Sequence, residues 1–170
     1  MTKWQIIHGD LLDVAADGLL CSANPSLNLS GGVGGAFSLR YGPSMQTLLH
    51  EYLRDRGLRN VPTGTAVVMP GCGSPFRAVA QAVAIDVFYG TSSEVILQTY
   101  SAATLALAAA GCRSIAAACL GCGYGRCPAE EFLKSVRALI ANPIDNVDDM
   151  TLATTNESLA DSLRHLISAC

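Results

Sequence analysis

Asn24-Pro-Ser-Leu-Asn-Leu-Ser-Gly-Gly-Val-Gly-Gly-Ala-Phe37 is the stretch that decides the fold, because it sets four glycines between an apolar run and a run of helical character. Gly31, Gly32, Gly34 and Gly35 leave backbone N–H groups uncovered by side chains. A helix starting here turns the positive end of its dipole toward whatever the loop holds. Such a loop suits a phosphate. A second loop of the same kind, Gly121-Cys-Gly-Tyr-Gly125, also follows an apolar run and precedes a helical segment. Together the two loops suggest a clamp on a diphosphate.

Working outward, the pattern alternates strands and helices. Residues 4–8 and 18–22 are short apolar runs of strand length, separated by a segment too short for more than a helical turn or two. Residues 35–41 and 43–56 read as helices broken at Gly42-Pro43, with Pro43 suited to a first helical turn. Residues 65–69 and 78–86 read as a hairpin joined through residues 70–75. Thr91-Ser-Ser-Glu94 has the spacing of a capping box, and its helix runs to Gly111, the alanine-rich half at 102–110 being apolar nearly all round and so expected to be buried. A strand at 114–120, a helix at 129–141, a strand at 150–155 and a helix at 157–168 complete the chain. This order predicts a three-layer α/β/α sandwich with a mixed, mostly parallel central sheet, in one domain spanning residues 1–170. Ligands of such sheets bind outside the carboxyl ends of the strands, where both glycine loops fall.

Composition narrows the function. The chain has 170 residues, half of them hydrophobic, with eleven basic and fourteen acidic side chains. That charge balance lacks the basic face expected of a duplex nucleic-acid binder, so a nucleotide is the better match than a nucleic acid. No stretch is long and apolar enough for a membrane span, and the N-terminus lacks the layout of a signal peptide, so a cytoplasmic location is expected. Seven cysteines without framework spacing fit reduced thiols. Cys119, Cys122 and Cys127 have a spacing that could hold a metal or an iron–sulfur cluster. The plainer reading makes them small apolar residues around a strand end, and no metal or cofactor is expected. His8, His50 and His165 show no spacing that compels a catalytic triad, and neither glycine loop has the pattern of a Rossmann dinucleotide site.

Cys21-Ser-Ala-Asn24, followed by Ser30-Gly-Gly-Val-Gly-Gly-Ala36, resembles the hallmark of the macrodomain (ADP-ribose-binding) family, an Asn-Ala-Ala-Asn run and a glycine loop opening a helix. Gly9-Asp10 resembles that family's Gly-Asp after the first strand, and Leu120-Gly-Cys-Gly-Tyr-Gly125 its second phosphate loop. The resemblance implies binding of ADP-ribose or an ADP-ribosylated protein. Asp10 and Leu11 would meet the adenine, the Asp10 carboxylate accepting from its amino group. Gly31, Gly32, Val33, Gly34 and Gly35 with Gly121, Cys122, Gly123, Tyr124 and Gly125 would cradle the phosphates, and Asn24 would bond the distal ribose hydroxyls. Asn156 would flank the adenine. Other roles stay open: a helix cap for Asp10 and Asn156, a turn residue for Asn24, loop packing for Tyr124 and an exposed helix charge for Arg40.

The departures bear on chemistry. Many hydrolases of that family place an Asp directly after the loop valine, where it can activate water, and this chain has Gly34 there. Loss of a general base costs about 10²- to 10⁴-fold, so the resemblance implies slow hydrolysis of mono-ADP-ribosyl or O-acetyl-ADP-ribose esters, with Asn24 as the candidate catalytic residue. The rival is a non-catalytic reader of ADP-ribosylated proteins. The paired glutamates and the helix Lys used by other branches are also missing, and Arg40 stays protonated and cannot act as a base.

Overall fold

Leu19, Leu20 and Cys21 are fully buried, because β2 (Gly18–Ser22) lies in the middle of the sheet and is covered on both faces. The computed structural model describes residues 1–123 and 125–170, so the reading of Tyr124 lies outside the described residues. Around β2 the sheet is completed by β1 (Lys3–His8), β3 (Thr65–Pro70), β4 (Ala78–Val83), β5 (Ser114–Ala118) and β6 (Asp149–Thr154). The strand order is β1-β6-β5-β2-β4-β3. Every neighbouring pair is parallel except β3 and β4, which form the expected hairpin.

Alternate residues of each strand point to opposite layers. One face carries α1 (Gly32–Tyr41), α2 (Ser44–Asp55) and a single 3₁₀ turn at Leu11–Asp13. Phe37, Met45 and Leu49 pack there on Leu19, Val79 and Val83. The other face carries α3 (Ser93–Ala109), α4 (Ala129–Ala141) and α5 (Glu157–Ser168). Tyr100, Leu107, Phe132 and Leu163 pack there on Leu20, Ile115, Met150 and Leu152. The expected α/β/α sandwich is therefore present.

Several element ends differ from the sequence reading, each for a local reason. β4 stops at Val83 rather than residue 86, because Asp86 turns the chain: its Oδ1 accepts from the N–H groups of Phe88 and Gly90, both at 2.8 Å. β5 stops at Ala118 rather than residue 120, because the Tyr100 hydroxyl donates to Ala118 O at 2.6 Å and accepts from Leu120 N at 3.1 Å. α1 begins at Gly32, earlier than expected, and Pro43 sits at the N-cap of α2 instead of in its first turn. The cap of α3 is Ser92, whose Oγ accepts from Val95 N, while the Thr91 hydroxyl is buried without a partner among the described residues. The Thr91–Glu94 box is thus not formed. Nor is the alanine-rich half of α3 buried all round, since Leu105 is 70% exposed on its outer side.

Candidate functional site

The carboxyl ends of β1, β6, β5, β2 and β4 open into one cavity of about 830 Å³. The sheet order gives this cavity a direction. Asp10 and Leu11, after β1, stand at one end with Asn156, while Asn24, Ile85 and Tyr89, after β2 and β4, stand at the other. Both glycine loops line the space between. Asp10 is the sole charged side chain among the described lining residues, which include no Lys, Arg or His.

The first loop is built as an anion cradle. Gly31 is fully extended, Gly32 has φ +55°, and no side chain caps α1. The first backbone bond of the helix runs from Gly35 N to Gly31 O at 3.0 Å. The N–H groups of Gly32, Val33 and Gly34 precede it and so have no partner within the helix. All three residues line the cavity, and the positive end of the helix dipole is added to them. Gly35, expected to share this role, is not among the lining residues; its N–H is already spent, and a Cβ there would lie 3.4 Å from the Ser30 carbonyl carbon. Gly34 has ordinary φ, but a Cβ there would lie 3.0 Å from Leu29 Cδ2. A side chain at this position therefore starts against Leu29.

The second loop folds back on itself. Cys127 N donates to Gly121 O at 3.0 Å, Gly121 has φ +76°, and a Cβ on Gly125 would lie 2.7 Å from Gly121 O and 2.8 Å from Ile85 Cγ2. Gly123, by contrast, has nothing within 4 Å of where a Cβ would sit. The helix behind this loop contributes less than expected. Residues 126–128 separate it from α4, whose first turn carries Glu130 and Glu131 and sends Ala129 alone into the cavity wall. Cys119, Cys122 and Cys127 line the cavity beside the loop. Burial pushes the Cys119 thiol up to about 12 and raises Cys122 and Cys127 as well. These thiols stay protonated near neutral pH, where a thiol is a poor nucleophile and a poor ligand. Among the described residues no three His, Cys, Asp or Glu side chains are grouped so as to hold a metal ion.

Asn24 and Asp10 reach the cavity with part of their capacity already used. Asn24 Oδ1 accepts from Ser26 Oγ at 2.8 Å and Asn28 N at 3.1 Å, and Nδ2 donates to Asn28 O at 2.8 Å. An amide oxygen has two lone pairs and an amide nitrogen two hydrogens, so one N–H remains for a ligand. Asn24 can donate to a ribose hydroxyl but has no lone pair left with which to accept. Gln46 of α2 fixes the same loop, accepting from Leu29 N at 2.7 Å and donating to Leu27 O at 3.0 Å. Asp10 caps the 3₁₀ turn through Oδ1 to Leu12 N at 2.9 Å. Its Oδ2 meets Arg40 Nη2 at 3.2 Å, and Arg40 Nη1 meets Asp13 Oδ1 at 2.8 Å. Arg40 is thus not a free helix charge but a bridge from α1 to both acids. Asn156 caps α5, accepting from Leu159 N at 3.1 Å. The sequence reading passed over Ser26, Asn28 and Gln46, which hold the loop around Asn24, and Ile85 and Tyr89, which stand at the same end of the cavity. Asn28 lies just before the first glycine loop, yet only the folded chain brings Gln46 to the neighbouring Leu27 and Leu29.

His8, His50 and His165 each bond to a neighbouring oxygen, of Thr155, Asn28 and Asp161 respectively, and none lines the cavity.

Comparison with known proteins agrees with this geometry. The family model for the Macro domain matches residues 21–136. The chain is 28% identical over 149 residues to a macro domain-containing protein of Streptomyces griseus, covering 86% of this chain and 84% of that protein. It is 29% identical over 170 residues to an O-acetyl-ADP-ribose deacetylase of Klebsiella pneumoniae (strain 342), covering 92% of this chain and 95% of the other. Its fold is that of a mutant Oceanobacillus iheyensis macrodomain with ADPR, with a TM-score of 0.86 at 20% identity, over 96% of this chain and 91% of that one. With both glycine loops facing one cavity and the family model spanning the strands and helices that carry them, this chain belongs to the Macro domain family.

Proposed function

We propose that this chain binds ADP-ribose, as the free nucleotide or attached to a protein, and hydrolyses mono-ADP-ribosyl or O-acetyl-ADP-ribose esters slowly. The observation that carries the reading is a single cavity flanked by two loops of backbone donors, with no basic side chain among its described lining residues. A diphosphate would be held by the N–H groups of Gly32, Val33 and Gly34 on one side and by the loop from Gly121 to Gly125 on the other. The adenine would lie toward Asp10 and the distal ribose toward Asn24. The name of the Klebsiella relative, an O-acetyl-ADP-ribose deacetylase, supports the ester as a substrate class. The reading takes residues 1–170 as one domain, supported by the joining of β1 and β6, from opposite ends of the chain, in one sheet. It also includes a reducing, cytoplasmic setting, supported by seven cysteines that are all free.

The slow rate follows from what stands at the ribose end. Asp10 belongs to the opposite end of the cavity, the neighbouring thiols are held protonated, and Gly34 offers no carboxylate. Water attacking there would rely on a phosphate oxygen of the ligand and on loop N–H groups for its orientation. The same features favour a second reading, a reader that binds ADP-ribosylated proteins without cleaving them.

Calorimetry with ADP-ribose and AMP tests binding: ADP-ribose should bind far more tightly, and equal affinities would remove the diphosphate clamp. Single-turnover assays with a mono-ADP-ribosylated protein and with O-acetyl-ADP-ribose then separate the slow hydrolase from the reader.

A further inference from the structure

The loop between β4 and α3 places large apolar side chains in water at the edge of the cavity. Val87 is 57% exposed, Phe88 86% and Tyr89 54%. The loop is firmly closed: Asp86 N donates to Gly90 O at 3.0 Å, Tyr89 N donates to Asp86 O at 3.0 Å, and the Asp86 carboxylate is turned onto the N–H groups of Phe88 and Gly90. Tyr89 has φ +64°, a conformation costly for a side chain of its size. A loop that only joined a strand to a helix would be expected to carry glycine and polar residues at such positions.

Position gives the knuckle its meaning. Ile85 and Tyr89 line the cavity at the end opposite Asp10, so Val87 and Phe88 lie just outside that end. On the ADP-ribose reading, on which this inference rests, the distal ribose ends here, and any group it carries leaves the cavity past Phe88. We infer that the Val87–Phe88–Tyr89 knuckle receives the polypeptide bearing the ADP-ribosyl group and grips an apolar side chain next to the modified residue. An acetyl ester is too small to extend from the ribose to a side chain standing in solvent. A nucleic acid would call for basic groups, whereas the one acid within this loop is turned inward and the cavity wall beside it carries no cation among the described residues. An apolar side chain brought to Phe88 would shed water from both partners, and a loop already fixed loses little entropy on contact.

The test uses a Val87→Ser/Phe88→Ser double variant, whose replaced side chains are exposed enough to leave the fold intact, as circular dichroism would verify. Two mono-ADP-ribosylated peptides serve as probes, one with leucines flanking the modified residue and one with serines there. The wild type should prefer the leucine peptide by about tenfold, the effect of one well-packed aromatic contact. The variant should bind both peptides alike while holding free ADP-ribose as tightly as the wild type. Equal binding of the two peptides by the wild type, or an unchanged preference in the variant, would overturn the inference. Concentration-dependent sedimentation of the wild type that the variant loses would assign the knuckle to a second copy of the chain instead. Failure of the wild type to bind free ADP-ribose would defeat the underlying reading, and the inference with it.

Discussion

Within one loop, Gly123 and Gly125 answer to opposite constraints. A side chain on Gly123 would enter open space in the cavity, whereas one on Gly125 would strike Gly121 O and Ile85. Gly123→Glu should therefore keep the melting temperature of the wild type and lose ADP-ribose binding, since its carboxylate would stand against the diphosphate. Gly125→Ala should instead lower stability by about 1–3 kcal/mol, the range for forcing atoms into a packed site. Thermal melts paired with calorimetry distinguish the two, and tight binding by a folded Gly123→Glu protein would move the ligand elsewhere. Gly32, an obvious target from the sequence, is less suitable because its φ of +55° would strain any replacement. Which glycines are spatially and which conformationally required was not legible in the sequence, where all of them look alike. The caps made by Asp10 and Asn156 were open readings of the sequence and are present, whereas the bonds that tie Asn24 to Ser26 and Asn28 were not legible there. Those local bonds depend on backbone angles that no residue pattern prints.

At the level of elements, Tyr100 ties α3 to the exit of β5. Its hydroxyl joins Ala118 O and Leu120 N directly before the second glycine loop, so the helix sets where that loop begins. Tyr100→Phe would leave a buried carbonyl and a buried N–H without partners, and should cost about 1–3 kcal/mol of stability in chemical denaturation. ADP-ribose affinity should fall with it, because the loop loses its anchor while every residue lining the cavity is unchanged. A destabilised variant with unaltered affinity would show that the loop holds its shape unaided. Strand and helix identities were readable because hydrophobic period and glycine punctuation are local signals. Their ends were less so. β5 stops early because Tyr100, distant in sequence, captures Ala118 O and Leu120 N, and β4 because Asp86 turns the chain just beyond it. The exposed outer side of α3 was misread for a related reason: alanines suit a helix surface as well as a core, so composition cannot say which side is covered.

For the molecule as a whole, a dianionic ligand would be bound without a basic wall. Partial charges on N–H groups act over a few ångströms, and salt screens such short contacts much less than it screens attraction between separated full charges. ADP-ribose affinity should therefore change by no more than about twofold between roughly 0.05 and 0.5 M sodium chloride. A steep decline measured by calorimetry over that range would reveal cationic side chains at work in the bound state. The layered architecture and the location of the cavity followed from element order and from the rule that strand ends bind ligands. The Val87–Phe88 knuckle did not, because no local pattern after residue 86 says that the chain turns these apolar side chains into water.

The pairing of β1 with β6 also sets a timetable. β1 is the first strand of the sheet in sequence order and its one neighbour, β6, is the last; Gly9, just ahead of Asp10, donates to Thr154 O at 3.0 Å. During synthesis β1 must wait for β6 until every other strand of the sheet has been made, while β2, β3, β4 and α3 can already assemble beside one another. The wall that carries Asp10 is therefore the last side of the cavity to close. A nascent chain gains nothing from the ligand until β6 has been made, so ADP-ribose can reward the closed sheet but cannot guide the chain to it.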